Sequence, residues 1–195
     1  MARVVHHREE VEVPSDVTVE VTSDRRVVVR GPLGEIEKDF SHVRNVLLYK
    51  EDSKVVVETF FADKRTYAVV GTIASKIRNM IEGVRRGFRY KMRVVYAHFP
   101  PDIKVDERKG VIIITNFLGR KKPITVRIAP GARVKLAGKK DIIIEGVDIE
   151  AVGQTAANIH LAVKLRGKER LCPHGREGGP GVLDGIYIYA KEHIR

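Results

Sequence analysis

Alternating apolar and polar residues predict β-structure in the first part of the chain. Val17, Val19 and Val21 alternate with polar residues, which is typical of a strand with one buried face. The valine runs at 27–29 and 55–57 have the β-branched composition and the length of further strands. We therefore predict an antiparallel sheet in this part of the chain.

The pattern becomes helical between residues 63 and 83. Side chains that would line one helical face recur there at spacings of three and four residues, and they are Tyr67, Val70, Ile73, Ala74, Ile77, Met80 and Ile81. Asp63 is the predicted N-cap, and Gly83 or Gly87 would end the helix. The corresponding face of a second predicted helix consists of Ala151, Gln154, Thr155, Asn158, Ile159, Ala162 and Val163. A helix thus follows the strands in each half of the chain.

The chain repeats itself roughly 85 residues further on. Residues 13–20 reappear as 99–106, and both copies continue to a Leu-Gly pair, at 33–34 and at 118–119. A period of this length suits a small domain with its own core. We predict the α+β class, with two tandem repeated domains at 1–84 and 85–171 and a basic C-terminal extension at 172–195. Each domain would be an antiparallel β-sheet with one helix packed on a face.

Composition and charge narrow the class of partner. Lys and Arg total 36 against 25 Asp and Glu, and the formal net charge of +11 favours a polyanionic ligand. The single cysteine, Cys172, excludes an internal disulfide framework. The sequence has no signal peptide and no apolar stretch of membrane-spanning length. We expect a soluble cytoplasmic protein that binds nucleic acid and does not enter a membrane.

The basic residues are unevenly distributed. Residues 1–98 carry +4 (18 basic against 14 acidic) and residues 99–195 carry +7 (18 against 11). The segment 108–140 contains ten basic residues and no acid, and five more lie at 85–93 around Phe88 and Tyr90. We interpret the two aromatic residues as core rather than as base-stacking platforms. The second domain is the predicted main binding surface.

Signals for catalysis or metal binding are weak. Cys172-Pro173-His174 has no second cysteine and no zinc-type ligand spacing, so we interpret it as incidental. The glycine-rich stretch 175–181 lacks the Gly-Lys-Ser/Thr ending of a phosphate loop. His6-His7 and Glu9-Glu10 lie near an end of the chain that we expect to be loosely held and solvated. We predict no catalytic residue, no metal ligand and no cofactor.

Three motifs resemble one family along essentially the whole chain: the run 79–88 (Asn-Met-Ile-Glu-Gly-Val-Arg-Arg-Gly-Phe), the helix opening 153–159 (Gly-Gln-Thr-Ala-Ala-Asn-Ile) and the ending 183–187 (Leu-Asp-Gly-Ile-Tyr). They resemble the large-subunit ribosomal protein family called L-six, whose eukaryotic members are called L-nine. The ending is similar to the archaeal and eukaryotic branch. Segment 171–180 departs from the pattern of both branches.

The resemblance implies a two-domain scaffold that binds large-subunit ribosomal RNA near the sarcin–ricin loop and the translation-factor site. Neighbouring ribosomal proteins at the stalk base and translation factors would lie nearby. Charge and resemblance together give the predicted RNA-binding residues: Arg85, Arg86, Arg89, Arg120, Lys121, Lys122, Lys139, Lys140, Lys164, Arg166, Lys168, Arg170 and Arg176. Such a protein would stabilise RNA tertiary structure by placement, with no bond made or broken.

Other classes of function predict different features. A general basic nucleic-acid-binding protein would show the same charge without selecting one folded RNA. A nucleic-acid-processing enzyme would need clustered acids for metal ions or a histidine acid–base pair, and the most basic part of the chain has no acid. A purely protein-binding module would show an exposed apolar patch instead. The leading prediction is a ribosomal RNA-binding protein that is not an enzyme.

Overall fold

A computed structural model gives the structure of the chain and describes residues 4–97, 99–165 and 183–194. The chain divides into two compact units, one comprising Met1–Gly87 with Val147–Ile149 and the other comprising Phe88–Gly146 and Glu150–Ile194. The division falls after Gly87 rather than after the predicted residue 84, because the first helix continues to Arg86. Among the described residues, no helix is both long and apolar enough to cross a membrane.

The first unit contains six strands followed by a helix. The elements are β1 Val4–Glu12, β2 Thr18–Val21, β3 Arg26–Gly31, β4 Gly34–Asp39, β5 Leu47–Glu51, β6 Lys54–Ala62 and α1 Lys64–Arg86. The strands form two antiparallel three-stranded sheets, in the orders β1-β6-β5 and β2-β3-β4. Helix α1 contacts β1 and β6 of one sheet and β3 of the other. One helix therefore covers both sheets.

The core of this unit follows from the apolar periods of its elements. Val27 and Val29 of β3 and Val55 and Val57 of β6 are fully buried, and they join the apolar stripe of α1 in one hydrophobic cluster. Gly31 lies against the end of that stripe, where an added Cβ would come within 2.7 Å of a Val84 methyl group. Close packing at this position thus requires glycine.

Helix α1 begins and ends at predicted residues. The Asp63 carboxylate accepts a hydrogen bond from the Thr66 amide at 2.7 Å, which caps the first turn. Gly87, at φ 65°, ends the helix and donates its amide to the Gly83 carbonyl. The prediction that Tyr67 belongs to the buried face of α1 is wrong, because Tyr67 is 46% exposed and stacks on His7.

The second unit repeats this order and adds a strand. Its elements are β7 Phe88–Val95, β8 Asp102–Asp106, β9 Val111–Thr115, a 3-10 turn Phe117–Gly119, β10 Ile124–Arg127, β11 Ala132–Ala137, β12 Asp141–Gly146, α2 Ile149–Ala162 and β13 Gly185–His193. The sheets have the orders β11-β12-β7-β13 and β10-β9-β8. Thr155 is fully buried on α2, and its hydroxyl accepts the Ala129 amide at 3.0 Å. This bond ties α2 to the segment before β11.

Residues Gly185–His193, which lie in the predicted C-terminal extension at 172–195, form strand β13. It pairs with β7 from Gly185↔Val95 to His193↔Phe88, with a register shift between Ile188 and Ala190. Ile186 is fully buried, so this apolar residue fixes the strand on the sheet. The described end of the chain is therefore the fourth strand of the second sheet.

The α+β class and the tandem repetition are confirmed. The strands of each half are divided between two sheets rather than joined in one. The predicted loose chain end is wrong, because His6-His7 and Glu9-Glu10 lie within β1, which pairs with β6. The buried face of α2 is shifted toward Val152 and Ala156, and Gln154 is exposed. Small residues occur on several sides of α2, so the spacing of its apolar residues alone does not determine which face is buried.

Candidate nucleic-acid interface

The basic residues at the end of α1 have acidic partners. Arg85 Nε lies 2.8 Å from an Asp16 carboxylate oxygen. Arg86 lies 3.5 Å from Glu82, one helical turn earlier. Such exposed pairs are weak, so these two predicted RNA-binding residues remain open to solvent while their charge is partly matched.

Arg89 lies in β7 and is held by the same sheet. Its Nε donates to Glu145 at 2.7 Å, and Lys135 donates to the other oxygen of that carboxylate at 2.9 Å. The hydrogen bonds from Lys135 and Arg89 hold the pKa of Glu145 below its usual value. Arg89 is only half-buried, but its charge already serves this network.

The loop Arg120-Lys121-Lys122 is exposed between the 3-10 turn and β10. The backbone before it is unusual, since Asn116 and Leu118 have positive φ values of 58° and 54° and Gly119 follows at 71°. The Asn116 amide donates to the Pro100 carbonyl at 3.0 Å, and an added Cβ on Gly119 would lie 3.5 Å from the Phe99 ring. The basic loop is thus held against the segment that precedes β8.

A second basic group lies in the turn between β11 and β12. Lys139 and Lys140 are both exposed there. The Lys140 ammonium lies 4.8 Å from the Tyr96 ring centre, and the Lys140 carbonyl accepts the Val94 amide at 2.8 Å. Strand β7 and the residue that follows it therefore position this turn.

The two basic groups meet the same short segment of chain. Tyr96 lies against Lys140 of the turn, and the Pro100 carbonyl accepts from Asn116, four residues before Arg120. Both Tyr96 and Pro100 line a cleft of about 400 Å³. Pro101, Asp102, Lys139 and Lys140 also line it. Lys139 and Lys140 present ammonium groups at this cleft, where they can contact phosphates, and the lining also contains the carboxylates of Asp102 and Asp141.

The repeat shows that these basic groups are additions to the common fold. Strand β4 begins at Gly34, directly within the first Leu-Gly pair, whereas Arg120-Lys121-Lys122-Pro123 separates the second pair from β10. The turn between β5 and β6 consists of Asp52-Ser53, where its counterpart carries Lys139-Lys140. The second unit alone has basic residues at both places.

Ion pairing divides the two units in the same way. In the first unit, Arg8, Arg26, Arg30, Lys38, Lys54, Arg78, Arg85 and Arg86 all pair with carboxylates. Within 108–140, Lys109 and Lys135 lie within 4.0 Å of a carboxylate, whereas Lys121, Lys122, Lys139 and Lys140 have none that close among the described residues. The charge of these four lysines is therefore available to an external anion.

The remaining predicted residues are divided by what the structure describes. Lys164 is exposed just after α2. Arg166, Lys168, Arg170 and Arg176 lie outside the described residues. The interpretation of Phe88 and Tyr90 as core is confirmed, since they are 6% and 9% exposed.

Sequence reasoning did not identify Tyr96, Phe99 or Pro100 as parts of the site. The four residues inserted after Leu118-Gly119 are the signal that could have pointed there. These four residues form the connection between the 3-10 turn and β10, beside the segment before β8.

Comparisons with known proteins establish the family. A family model described as Ribosomal protein L6 matches residues 13–87 and again 97–170. The protein named large ribosomal subunit protein uL6 from Staphylothermus marinus is 52% identical over 190 residues, covering 97% of both chains. Its namesakes from Aeropyrum pernix and Pyrobaculum aerophilum are 52% and 48% identical, covering 100% and 99% of both chains. The two matched segments correspond to the two copies of one domain seen in the structure. The chain therefore belongs to the ribosomal protein L6 family of the large ribosomal subunit.

Proposed function

We propose that the second repeat binds large-subunit ribosomal RNA through the Arg120–Lys122 loop and the Lys139–Lys140 turn. The observation that carries this proposal is the presence, in the second repeat alone, of exposed basic residues in both connections, of which Lys121, Lys122, Lys139 and Lys140 have no carboxylate within 4.0 Å among the described residues. The family resemblance adds the place, near the sarcin–ricin loop and the translation-factor site. Stalk-base proteins and translation factors would then be neighbours.

The physical role is placement of RNA. Ammonium and guanidinium groups neutralise phosphates of adjacent RNA segments and release their counterions, so affinity depends on salt. The loop is anchored to Pro100 and Phe99 and the turn to Tyr96, so the cations need little ordering when RNA binds. A rigid arrangement of cations stabilises one arrangement of RNA helices over others.

This proposal includes no chemical step. The relatives are named as ribosomal proteins, and we propose that this chain likewise acts without catalysis. The acid-free segment 108–140 itself supplies no carboxylate ligand for a metal ion. A structural constituent of the subunit needs only binding.

Competition binding tests the proposal. The purified chain would be titrated, across a salt series, with a large-subunit RNA fragment containing the sarcin–ricin region and with an unrelated folded RNA of equal length. We expect a strong preference for the first RNA that persists at moderate salt, because fixed cations match one phosphate arrangement. Equal binding that collapses as salt rises would contradict it and leave a general basic nucleic-acid-binding protein.

A further inference from the structure

One side of the β1-β6-β5 sheet packs on the core of the first unit. We call the opposite side of this sheet the outer face. Val55 and Val57 of β6 enter that core, so Val56, Glu58 and Phe60 point the other way. The register places Leu47 and Tyr49 of β5 beside Glu58 and Val56. His6, Arg8 and Glu10 of β1 lie beside the same strand on its other edge.

Apolar groups are exposed on the outer face where β5 begins and β6 ends. Leu47 and Phe60 are each 52% exposed and Tyr49 is 36% exposed. The His6 and Phe60 rings stack with centres 4.7 Å apart and an angle of 13°. Outer faces of half-buried sheets are normally polar, so this group of large side chains is an unusual feature.

Hydrogen bonds hold the outer face in one arrangement. Glu58 is 9% exposed, and its two oxygens contact His6 Nε2 at 3.0 Å and the Tyr49 hydroxyl at 3.2 Å. Burial, together with the Glu58 carboxylate, raises the pKa of Tyr49. Because the rings are fixed before any partner arrives, binding there would cost little side-chain entropy.

The charge around these apolar groups is acidic. Four carboxylates, those of Glu10, Glu12, Glu51 and Glu58, share the outer face with two cations. Arg8 lies 2.7 Å from Glu51 and Lys54 lies 2.7 Å from Glu10, so these ion pairs match two of the four carboxylates and the outer face keeps a net negative charge. A phosphate backbone would meet a net negative surface, which disfavours RNA.

The equivalent face of the second repeat has the opposite sign. The corresponding outward positions of β7, β11 and β12 carry five cations and two carboxylates: Arg89, Lys91, Arg93, Arg133 and Lys135 with Asp141 and Glu145. The same layer of one fold is therefore basic in one copy and acidic with apolar anchors in the other. Charge complementarity assigns different partners to the two copies.

We propose that the outer face docks a basic segment of a neighbouring protein, with Leu47 and Phe60 as apolar anchors and Glu10, Glu12 and Glu51 pairing with its Lys or Arg side chains. Exposed apolar anchors on the same face as charged residues are common in protein–protein contacts. The inference goes beyond RNA binding by the second repeat. It uses the family's place in the large ribosomal subunit only for its test.

Photo-crosslinking in the assembled subunit tests this inference. A photoreactive amino acid would replace Leu47 in one sample and Lys121 in another, and each protein would be incorporated into large subunits before irradiation. We expect the residue-47 adduct to contain a peptide of net positive charge and the residue-121 adduct to contain RNA. An RNA adduct, an acidic peptide or no adduct at residue 47 would overturn the inference. Failure of the RNA adduct at residue 121 would instead count against the proposed function.

Charge reversal provides a matched control. Glu51→Lys should lower the residue-47 peptide adduct by about two- to tenfold, because it replaces a rim ion pair by repulsion. Asp24→Lys makes the same charge change at an exposed turn away from the outer face and should leave the adduct unchanged. Equal yields in the two variants would overturn the assignment of the partner as basic.

Discussion

At the scale of single residues, the partner of each cation determines what it can do. Arg89 is held by Glu145 inside a sheet, whereas Lys121 is exposed in a loop and has no carboxylate within 4.0 Å among the described residues. The sequence gives both the same weight as RNA-binding candidates, because a list of charges contains no information on pairing. Their substitution should therefore have opposite consequences.

Lys121→Ala should weaken RNA binding and leave stability unchanged, since an exposed lysine contributes little to folding. Arg89→Ala should lower the free energy of unfolding by about 1 to 3 kcal/mol, because it removes a hydrogen bond to a mostly buried carboxylate. RNA titration and thermal unfolding of both variants would check this. A destabilised Lys121 variant with unchanged RNA affinity would reverse the assignment.

Two glycines make a paired prediction on packing. Gly31→Ala places a Cβ within 2.7 Å of a Val84 side-chain atom and should destabilise the chain by about 1 to 3 kcal/mol. Gly71→Ala in α1 meets no atom within 4 Å and should stabilise it by about 0.5 to 1 kcal/mol. Denaturant unfolding measures both, and destabilisation of similar size at the two positions would contradict the described packing.

At the scale of elements, the outward charges of β7 and β11 are coupled through Glu145 on β12. Lys135 and Arg89 lower the pKa of this carboxyl in the folded chain. Their stabilisation is therefore fully present above the pKa of an unfolded glutamate, and it is lost as the pH falls through the folded value. The second sheet should weaken in acid partly for this reason.

Glu145→Gln should lower stability at neutral pH and flatten the acid side of the stability–pH curve. The substitution removes the carboxylate that lies between Lys135 and Arg89, so this position no longer binds a proton as the pH falls. Thermal unfolding from pH 7 down to about pH 3 would measure the effect. The exposed residue Glu107 provides the control Glu107→Gln, and equal flattening in both variants would show that the network does not stabilise the sheet.

At the scale of the whole molecule, the sequence predicts the repeat, the α+β class and a helix that begins after Asp63 and ends at Gly83 or Gly87, of which the structure has Gly87. It does not predict β1, because His6 through Glu10 are polar on both faces and show no alternation. The position of the Arg120–Lys122 loop is equally hidden, since Asn116 and Leu118 before it adopt positive φ values that their types do not indicate. The spacing of apolar residues along the chain predicts helices and strands, whereas the site depends on contacts between segments that are distant in sequence.

The salt dependence of RNA binding tests most directly whether the second repeat is the RNA interface. Lys121→Ala/Lys139→Ala removes one cation from each basic group, and Lys50→Ala/Lys64→Ala removes two exposed cations from the first unit. With the sarcin–ricin fragment, the first pair should reduce the slope of log affinity against log salt by up to about two units, whereas the second pair should leave it unchanged. Equal slopes for the two double variants would contradict the account.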